Sequence, residues 1–318
     1  MAMTRVYYVT DLHGSEVCWR KFLNACKIYK TDVAVVGGDI TGKMVVPLVK
    51  QPDGSYRTKY YGTEYTAKDD KELEELTRHV RGAGFYPYTT TPEEVESIRD
   101  KPDALDKLYE DLALKVLKDW LDLAKERLKD SGIRVYMTGG NDDTMEVSKV
   151  LRSSDFVIDP EGEVVYIDDH HEMVSSGYSN ITPWHCPRDI TEEELEKIIE
   201  PMIAKIKDMP NAIFNFHVPP YDVTPLDYAP LLDETFKPVM GSDGIKMIPV
   251  GSKAVRKVID EHQPLLGLFG HIHEGKGAIK VGRTMCMNPG SEYGEGILRG
   301  VMINLTENKI KNYMFTSG

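Results

Sequence analysis

The chain has 318 residues, 28% of them charged and 41% hydrophobic, with 39 basic against 51 acidic side chains and a formal net charge of −12. That length holds one large domain, or an ordinary one with a sizeable insertion, and the composition excludes a disordered or fibrous chain. An acidic surface repels the phosphate backbone instead of releasing its counterions, which disfavours extended nucleic acid as a partner but leaves small anionic substrates open.

The opening segment MAMTRVYYVTDLHG has no basic stretch followed by a long apolar run, and no part of the chain approaches the roughly 20 apolar residues of a membrane span. Cytoplasmic residence without a membrane partner is the expectation. Cys18, Cys26, Cys186 and Cys286 lie far apart with no C-x-x-C pair, so neither a thiolate zinc site nor a disulfide framework is indicated.

Arg5–Thr10 reads as a buried strand that ends in Asp11-Leu12-His13-Gly14. A helix over Ser15–Tyr29 and a second strand over Asp32–Val36, stopping at Gly37-Gly38-Asp39, complete a strand–helix–strand unit with polar groups at each strand end. This is an α/β signature. From about 43 to 131 the pattern changes to a Pro-Asp-Gly turn between β-capable flanks and then charge-laced helical segments, which reads as an insertion of a β-hairpin and helices, mainly helical, in an otherwise single domain. Its last helix, about Asp103–Lys129, places Leu105, Leu108, Leu112, Val116, Trp120, Leu123 and Leu128 at helical spacing as a packing stripe.

The sheet pattern resumes with Ile133–Thr138 before Gly139-Gly140-Asn141-Asp142-Asp143, then two short β-like runs, Glu163–Asp168 and Glu172–Tyr178, and a helix over Thr191–Lys207. Ala212–Phe216 delivers His217; a helix near Ser252–Glu261 leads into Leu265–Phe269, which delivers Gly270-His271-Ile272-His273. From Gly282 the tail alternates like antiparallel strands around an Asn288-Pro289-Gly290-Ser291 turn.

In extended chain, residues two apart share a side, so Asp11 with His13, and His271 with His273, would each point a pair of donors one way. With Asp39, Asn141 and His217 at further strand ends, seven donors would gather at one rim of the sheet. Imidazole and carboxylate without thiolate suit manganese, iron, zinc, nickel or cobalt.

This ordered set resembles the calcineurin-like metallophosphoesterases, whose pattern is D-x-H, G-D, G-N-H-D/E, a lone H, then G-H-x-H. It stands here as Asp11-Leu12-His13, Gly38-Asp39, Gly140-Asn141-Asp142-Asp143, His217 and Gly270-His271-Ile272-His273. The Asn288-Pro289-Gly290-Ser291 turn is similar to one in phosphodiesterase-type members, and only the segment from about 43 to 131 falls outside the resemblance. The resemblance implies a four-layer α-β-β-α fold, two sheets face to face with helices outside. It also implies two divalent metals: Asp11, His13, Asp39 and His273 on one, Asp39, Asn141, His217 and His271 on the other, with Asp39 bridging. Such a centre activates water for hydrolysis of a phosphate ester, here a diester of a small or nucleotide-like molecule. The alternatives are a metal-binding scaffold with little turnover, a phosphomonoesterase or a nuclease.

One departure stands out: Asp142 occupies the place of the family's histidine, to which transition-state stabilisation and leaving-group assistance are credited. An ionised carboxylate there would repel phosphate. Either Asp142 is held protonated, or another histidine substitutes (His170, His171 or, foremost, His185), or the substrates have good leaving groups, or the role is one of binding alone. His79 and His262 read as surface residues, and Arg188, Arg283 and Arg299 receive no role. The insertion is expected to be a cap or a self-association element.

Overall fold

The computed structural model describes residues 3–242 and 244–318. Among them are seven α-helices and several sheets in a mixed α/β arrangement. The strand Thr4–Val9 pairs in parallel with Val33–Val36, which pairs in parallel with Arg134–Met137 and so on to Val157–Ile158. The register sets Val9 against Val36 and Val36 against Met137, so these strands end level and their following loops lie side by side. On the other flank Arg299–Thr306 adds antiparallel to the opening strand, and Lys309–Ser317 closes that edge.

The second six-stranded sheet runs Gly277–Val281, Thr284–Asn288, Leu266–Leu268, Ile213–Phe216, Glu172–Ser176 and Val164–Tyr166, parallel in its middle four strands. The expected antiparallel tail is therefore divided. Thr284–Asn288 belongs to the second sheet and the last two strands to the first, so the Asn288-Pro289-Gly290-Ser291 turn carries the chain between sheets.

Alternation along the opening strand assigns its faces, since successive strand side chains point to opposite sides. Val6 and Tyr8 join one buried cluster with Val33, Val35, Met173, Ile213, Leu266 and Leu268, residues drawn from both sheets. Tyr7 and Val9 join another with Trp19, Phe22, Leu117, Trp120 and Leu151 from helices. The second sheet sends Val174, Phe214 and Phe216 to a third cluster with Leu195, Ile199, Val255 and Ile259, from the helices Glu192–Ile203 and Lys253–His262.

The stretch from 43 to 131 differs from expectation in two ways. In place of a single hairpin it holds a four-stranded sheet, Thr63–Ala67, Tyr56–Tyr60, Val45–Lys50 and Tyr86–Thr90, with its own small core of Val46, Leu48, Tyr60, Leu76, Val80 and Phe85. The helix Pro102–Leu128 also belongs partly to the main body: Leu117, Trp120, Leu121, Ala124 and Leu128 pack in the cluster of the first sheet, and Trp120 stacks on Trp19 with ring centroids 5.0 Å apart. Of the expected stripe Trp120 and Leu128 are buried and Leu105 is exposed, while Leu117 and Leu121, outside the stripe, are buried as well. The buried face of the helix therefore runs through Ala113, Leu117, Trp120, Leu121, Ala124 and Leu128, with Val116 and Leu123 packed beside it.

Candidate metal centre

The loop after the opening strand is tied to the loop after its neighbour: Asp11 N–H donates to Gly38 O (3.0 Å), His13 N–H to Asp39 O (2.9 Å) and Gly14 N–H to Ile40 O (2.8 Å). The side chains do not share a side through extended backbone, as the spacing suggested. Asp11 (φ 53°), His13 (φ 40°), Asp39 (φ 49°) and His271 (φ 65°) all lie in the left-handed region, which costs a residue with a Cβ on the order of 1–3 kcal/mol and persists where surrounding structure imposes it. Leu12 still turns into the core. Glycines make the approach possible: a Cβ on Gly140 would sit 2.1 Å from Asp39 Oδ1, and one on Gly38 2.3 Å from His217 Nδ1.

Three overlapping groups of donor atoms result, each with its atoms within 4.8 Å of one another: Asp11, His13 and His273; Asp39, His217 and His271; and His13, Asp39 and Asp142. Asp39 Oδ2 stands between the first two, 3.5 Å from His13 Nε2 and 3.3 Å from His217 Nε2. His13 Nε2 and His273 Nε2 are 3.1 Å apart, and Asp11 Oδ1 is 3.6 Å from His273 Nε2. Asn141 brings its Oδ1 to 3.1 Å from His217 Nε2 and 2.9 Å from His271 Nδ1.

A further ring of contacts aims these groups. His217 Nδ1 faces Gly37 O at 3.0 Å, which leaves Nε2 to the cluster, and Asn141 Nδ2 donates to Asp189 Oδ1 (2.9 Å), which turns its carbonyl inward. Asp143 lies outside the cluster and accepts from Ile40 N–H, Thr41 N–H, Thr41 Oγ1 and Gly140 N–H, locking two strand-end loops together.

Electrostatics set the cluster apart from ordinary buried groups. Burial pushes the Asp39 carboxyl up to about 6, with Asp142 and Asp11 adding to the push against His217. Burial would lower His217, but Asp39 and Asp11 outweigh it and lift the imidazole to about 10, so this pair holds a proton between them. Burial and the charge on His217 lower His271 to about 3; burial, Lys43 and His273 lower His13. Carboxylates and imidazoles gathered within a few ångströms of one another, His13 Nδ1 buried without a hydrogen-bond partner, and no thiolate among the seven donors together fit a divalent transition metal.

Asp142 is not held protonated. Burial would raise it, yet Lys43, His13 and the Cys186 thiol bring it down to about 2. Its Oδ2 pairs with Lys43 Nζ at 3.1 Å, and its Oδ1 accepts from Cys186 Sγ at 2.7 Å. The histidines weighed as substitutes lie elsewhere. His171 is buried against Asp168 (2.8 Å), while His170 and His185 are exposed and in none of the donor groups. Arg188 is fully buried and spent on Asp143 O, Thr144 O, Ser148 and Glu161; Arg299 pairs with Glu292, and Arg283 donates to Pro210 O.

Lys43, Tyr86, Tyr109, Cys186, Asp189 and Tyr293 were missed in the sequence. Tyr293 packs its ring 4.6 Å from His13, and the others act across dozens of positions with no motif to announce them.

No family model matches the sequence. Over 159 residues the chain is 32% identical to the uncharacterized protein MJ1162 of Methanocaldococcus jannaschii; the match takes in 49% of this chain and spans 64% of that protein's length. A solved structure, TT1561 of Thermus thermophilus, matches at 11% identity with a TM-score of 0.52, over 100% of this chain and 99% of that one. A novel archaeal phosphodiesterase matches at 11% identity over 99% of this chain and 100% of its own, with a TM-score of 0.32, too slight a likeness to argue from. The chain thus shares its fold with TT1561, and at the strand ends of that fold it gathers a cluster of aspartate and histidine donors able to hold metal.

Proposed function

We propose that the chain is a metal-dependent phosphoesterase, with phosphodiesters of small or nucleotide-like molecules as its substrates. The observation that carries this reading is Asp39 Oδ2, which lies within 3.5 Å of an imidazole nitrogen from each of two donor groups. One oxygen shared in that way suits a bridging carboxylate. Asp11, His13, Asp39 and His273 would hold one divalent ion and Asp39, Asn141, His217 and His271 the other, with manganese the first metal to test. Two such ions polarise phosphoryl oxygens and lower the pKa of water toward neutrality.

The chain's own residues do the remaining work. Gly37 O and Asp189 orient His217 and Asn141, and the left-handed turns at Asp11, Asp39 and His271 aim donors that extended backbone would scatter. The cluster shared by both sheets, with helices packed on their outer faces, supports a four-layer arrangement for the whole domain.

The segment from 43 to 131 acts, in this reading, as a lip over the centre. Part of its apolar side chains are taken up by its own small core and by the main one, while Met44, Tyr61 and Leu105 stay exposed. No helix among the described residues is long and apolar enough to cross a membrane.

Elemental analysis after reconstitution, combined with a screen of chromogenic mono- and diesters in several metals, tests the reading. About two ions per chain with diester turnover is the expected result. A ratio that never exceeds one, or no turnover in any metal, overturns it.

A further inference from the structure

The resemblance calls for a cation near the leaving group, and Asp142 supplies a negative charge instead. The structure supplies a cation from the neighbouring loop. Lys43 places Nζ 3.1 Å from Asp142 Oδ2, and the same oxygen lies 3.7 Å from His13 Nδ1, so the ammonium stands at the edge of the donor cluster. Its side chain is 45% exposed, so a ligand can reach it. An ammonium has three donors, and the pair with Asp142 uses one.

The backbone that presents Lys43 is held with unusual thoroughness. Thr41 is bound through N–H and Oγ1 to Asp143, at 2.9 and 2.6 Å. Gly42 is gripped at both ends of its peptide: its N–H donates to Tyr86 Oη and its carbonyl accepts from Tyr109 Oη, each at 2.6 Å. A Cβ on Gly42 would meet Gly84 O at 2.1 Å, so the loop and the 43–131 segment fit only with glycine there. Asp142 fixes the other end, because with Cys186 on Oδ1 and Lys43 on Oδ2 it offers the lysine one direction.

We infer that Lys43 is a catalytic residue of the phosphoesterase reaction proposed above, contacting the departing ester oxygen or a phosphoryl oxygen, and that Asp142 is its positioning residue. In the step concerned, the oxygen of water forms the new P–O bond and the ester P–O bond breaks with its electron pair on the leaving oxygen. The ammonium stabilises that developing charge without giving up its proton; the proton lost by water goes to solvent, and solvent reprotonates the leaving oxygen. Charge stabilisation of this kind is worth about 10²- to 10³-fold in rate. The segment from 43 to 131 is then part of the catalytic apparatus, since its tyrosines set the position of the group.

The test compares Lys43→Gln, Lys43→Arg, Asp142→Asn and the double variant Lys43→Gln/Asp142→Asn in manganese-reconstituted full-length protein. The readouts are metal content, affinity for inorganic phosphate by calorimetry, and kcat across aryl and alkyl phosphate diesters. Lys43→Gln should keep its metal, bind phosphate roughly tenfold more weakly and lose about 10²-fold in kcat, most for alkyl leaving groups. Lys43→Arg should recover most of this, and the double variant should stay impaired. Recovery of wild-type behaviour in the double variant would mean that Lys43 only neutralises Asp142, and unchanged phosphate affinity and rate in Lys43→Gln would likewise end the proposal. If wild type hydrolyses no ester in any metal, the phosphoesterase reading has failed; the phosphate-affinity measurement then decides separately whether Lys43 holds the anion.

Discussion

His217 and His273 are both imidazoles that follow a strand of the second sheet, yet their surroundings differ sharply. His217 is fully buried, with Nδ1 against Gly37 O and Nε2 facing Asp39 and Asn141, and Asn141 is itself held by Asp189. His273 has a side chain 30% exposed and faces only His13 and Asp11 of the donor set, beside the ring of Tyr293. In the proposed centre the inner half therefore has more side-chain contacts that need no ion than the outer half has. If the centre holds two ions as proposed, the expected outcome is unequal affinity, with the inner position filling first.

The shared carboxylate bears on both halves, so its loss should erase the difference between them. Asp39→Asn is expected to reduce activity by roughly 10³-fold, the upper end for a single electrostatic group, and to drop metal content below one ion per chain. Retention of two ions with wild-type turnover at saturating metal would overturn the proposed bridging role of Asp39.

Loss of single imidazoles should expose the inequality. His273→Ala is expected to keep about one ion, and His217→Ala to hold the remaining ion more loosely, as metal titrations would read. Asp189→Ala, which frees the Asn141 amide to turn, should weaken the inner ion about 10- to 100-fold while leaving the outer one nearly unchanged. Equal effects at both positions would contradict the pre-organised inner half.

Chelation gives a smaller effect. An ion present at 100 times its Kd stabilises the fold by about 2.7 kcal/mol, so removal of metal should lower Tm by several degrees, in two steps if the halves differ. Smallest of all is the effect expected in the segment from 43 to 131. Tyr109→Phe removes one hydrogen bond to Gly42 O, worth about 0.5–1.5 kcal/mol, and should reduce kcat by a few-fold with metal content unchanged. A loss of metal in that variant would show that the lip supports the ions directly.

The residues that gather were legible because strand ends are where a polar residue interrupts an apolar run, and the order Asp11, His13, Asp39, Asn141, His217, His271, His273 follows five such interruptions. The backbone that aims them was not. Spacing suggested extended pairs at 11/13 and 271/273, whereas Asp11 and His13 are left-handed within loop-to-loop hydrogen bonds from Asp11 to Gly38 and from His13 to Asp39, and the left-handed His271 donates its N–H to the Asp11 carboxylate. The stripe of the helix Pro102–Leu128 was legible in part: Val116, Trp120, Leu123 and Leu128 pack on the main core as the periodicity suggested, whereas Leu105 near the helix start stays exposed and Leu117 and Leu121, outside the stripe, are buried as well.

By itself the sequence determined the α/β alternation, the strand ends that carry chemistry and the residue types placed there, because each of these is written in a local pattern of burial and interruption. It also raised the question of Asp142. Only the tertiary structure decided the answer, since the charge that meets Asp142 comes from Lys43, 99 positions before it, and the groups that hold the preceding glycine, Tyr86 and Tyr109, lie 44 and 67 positions after that glycine. A hydrogen bond or ion pair between side chains far apart leaves no periodicity in the chain; it exists only once packing has brought the partners within about 3 Å.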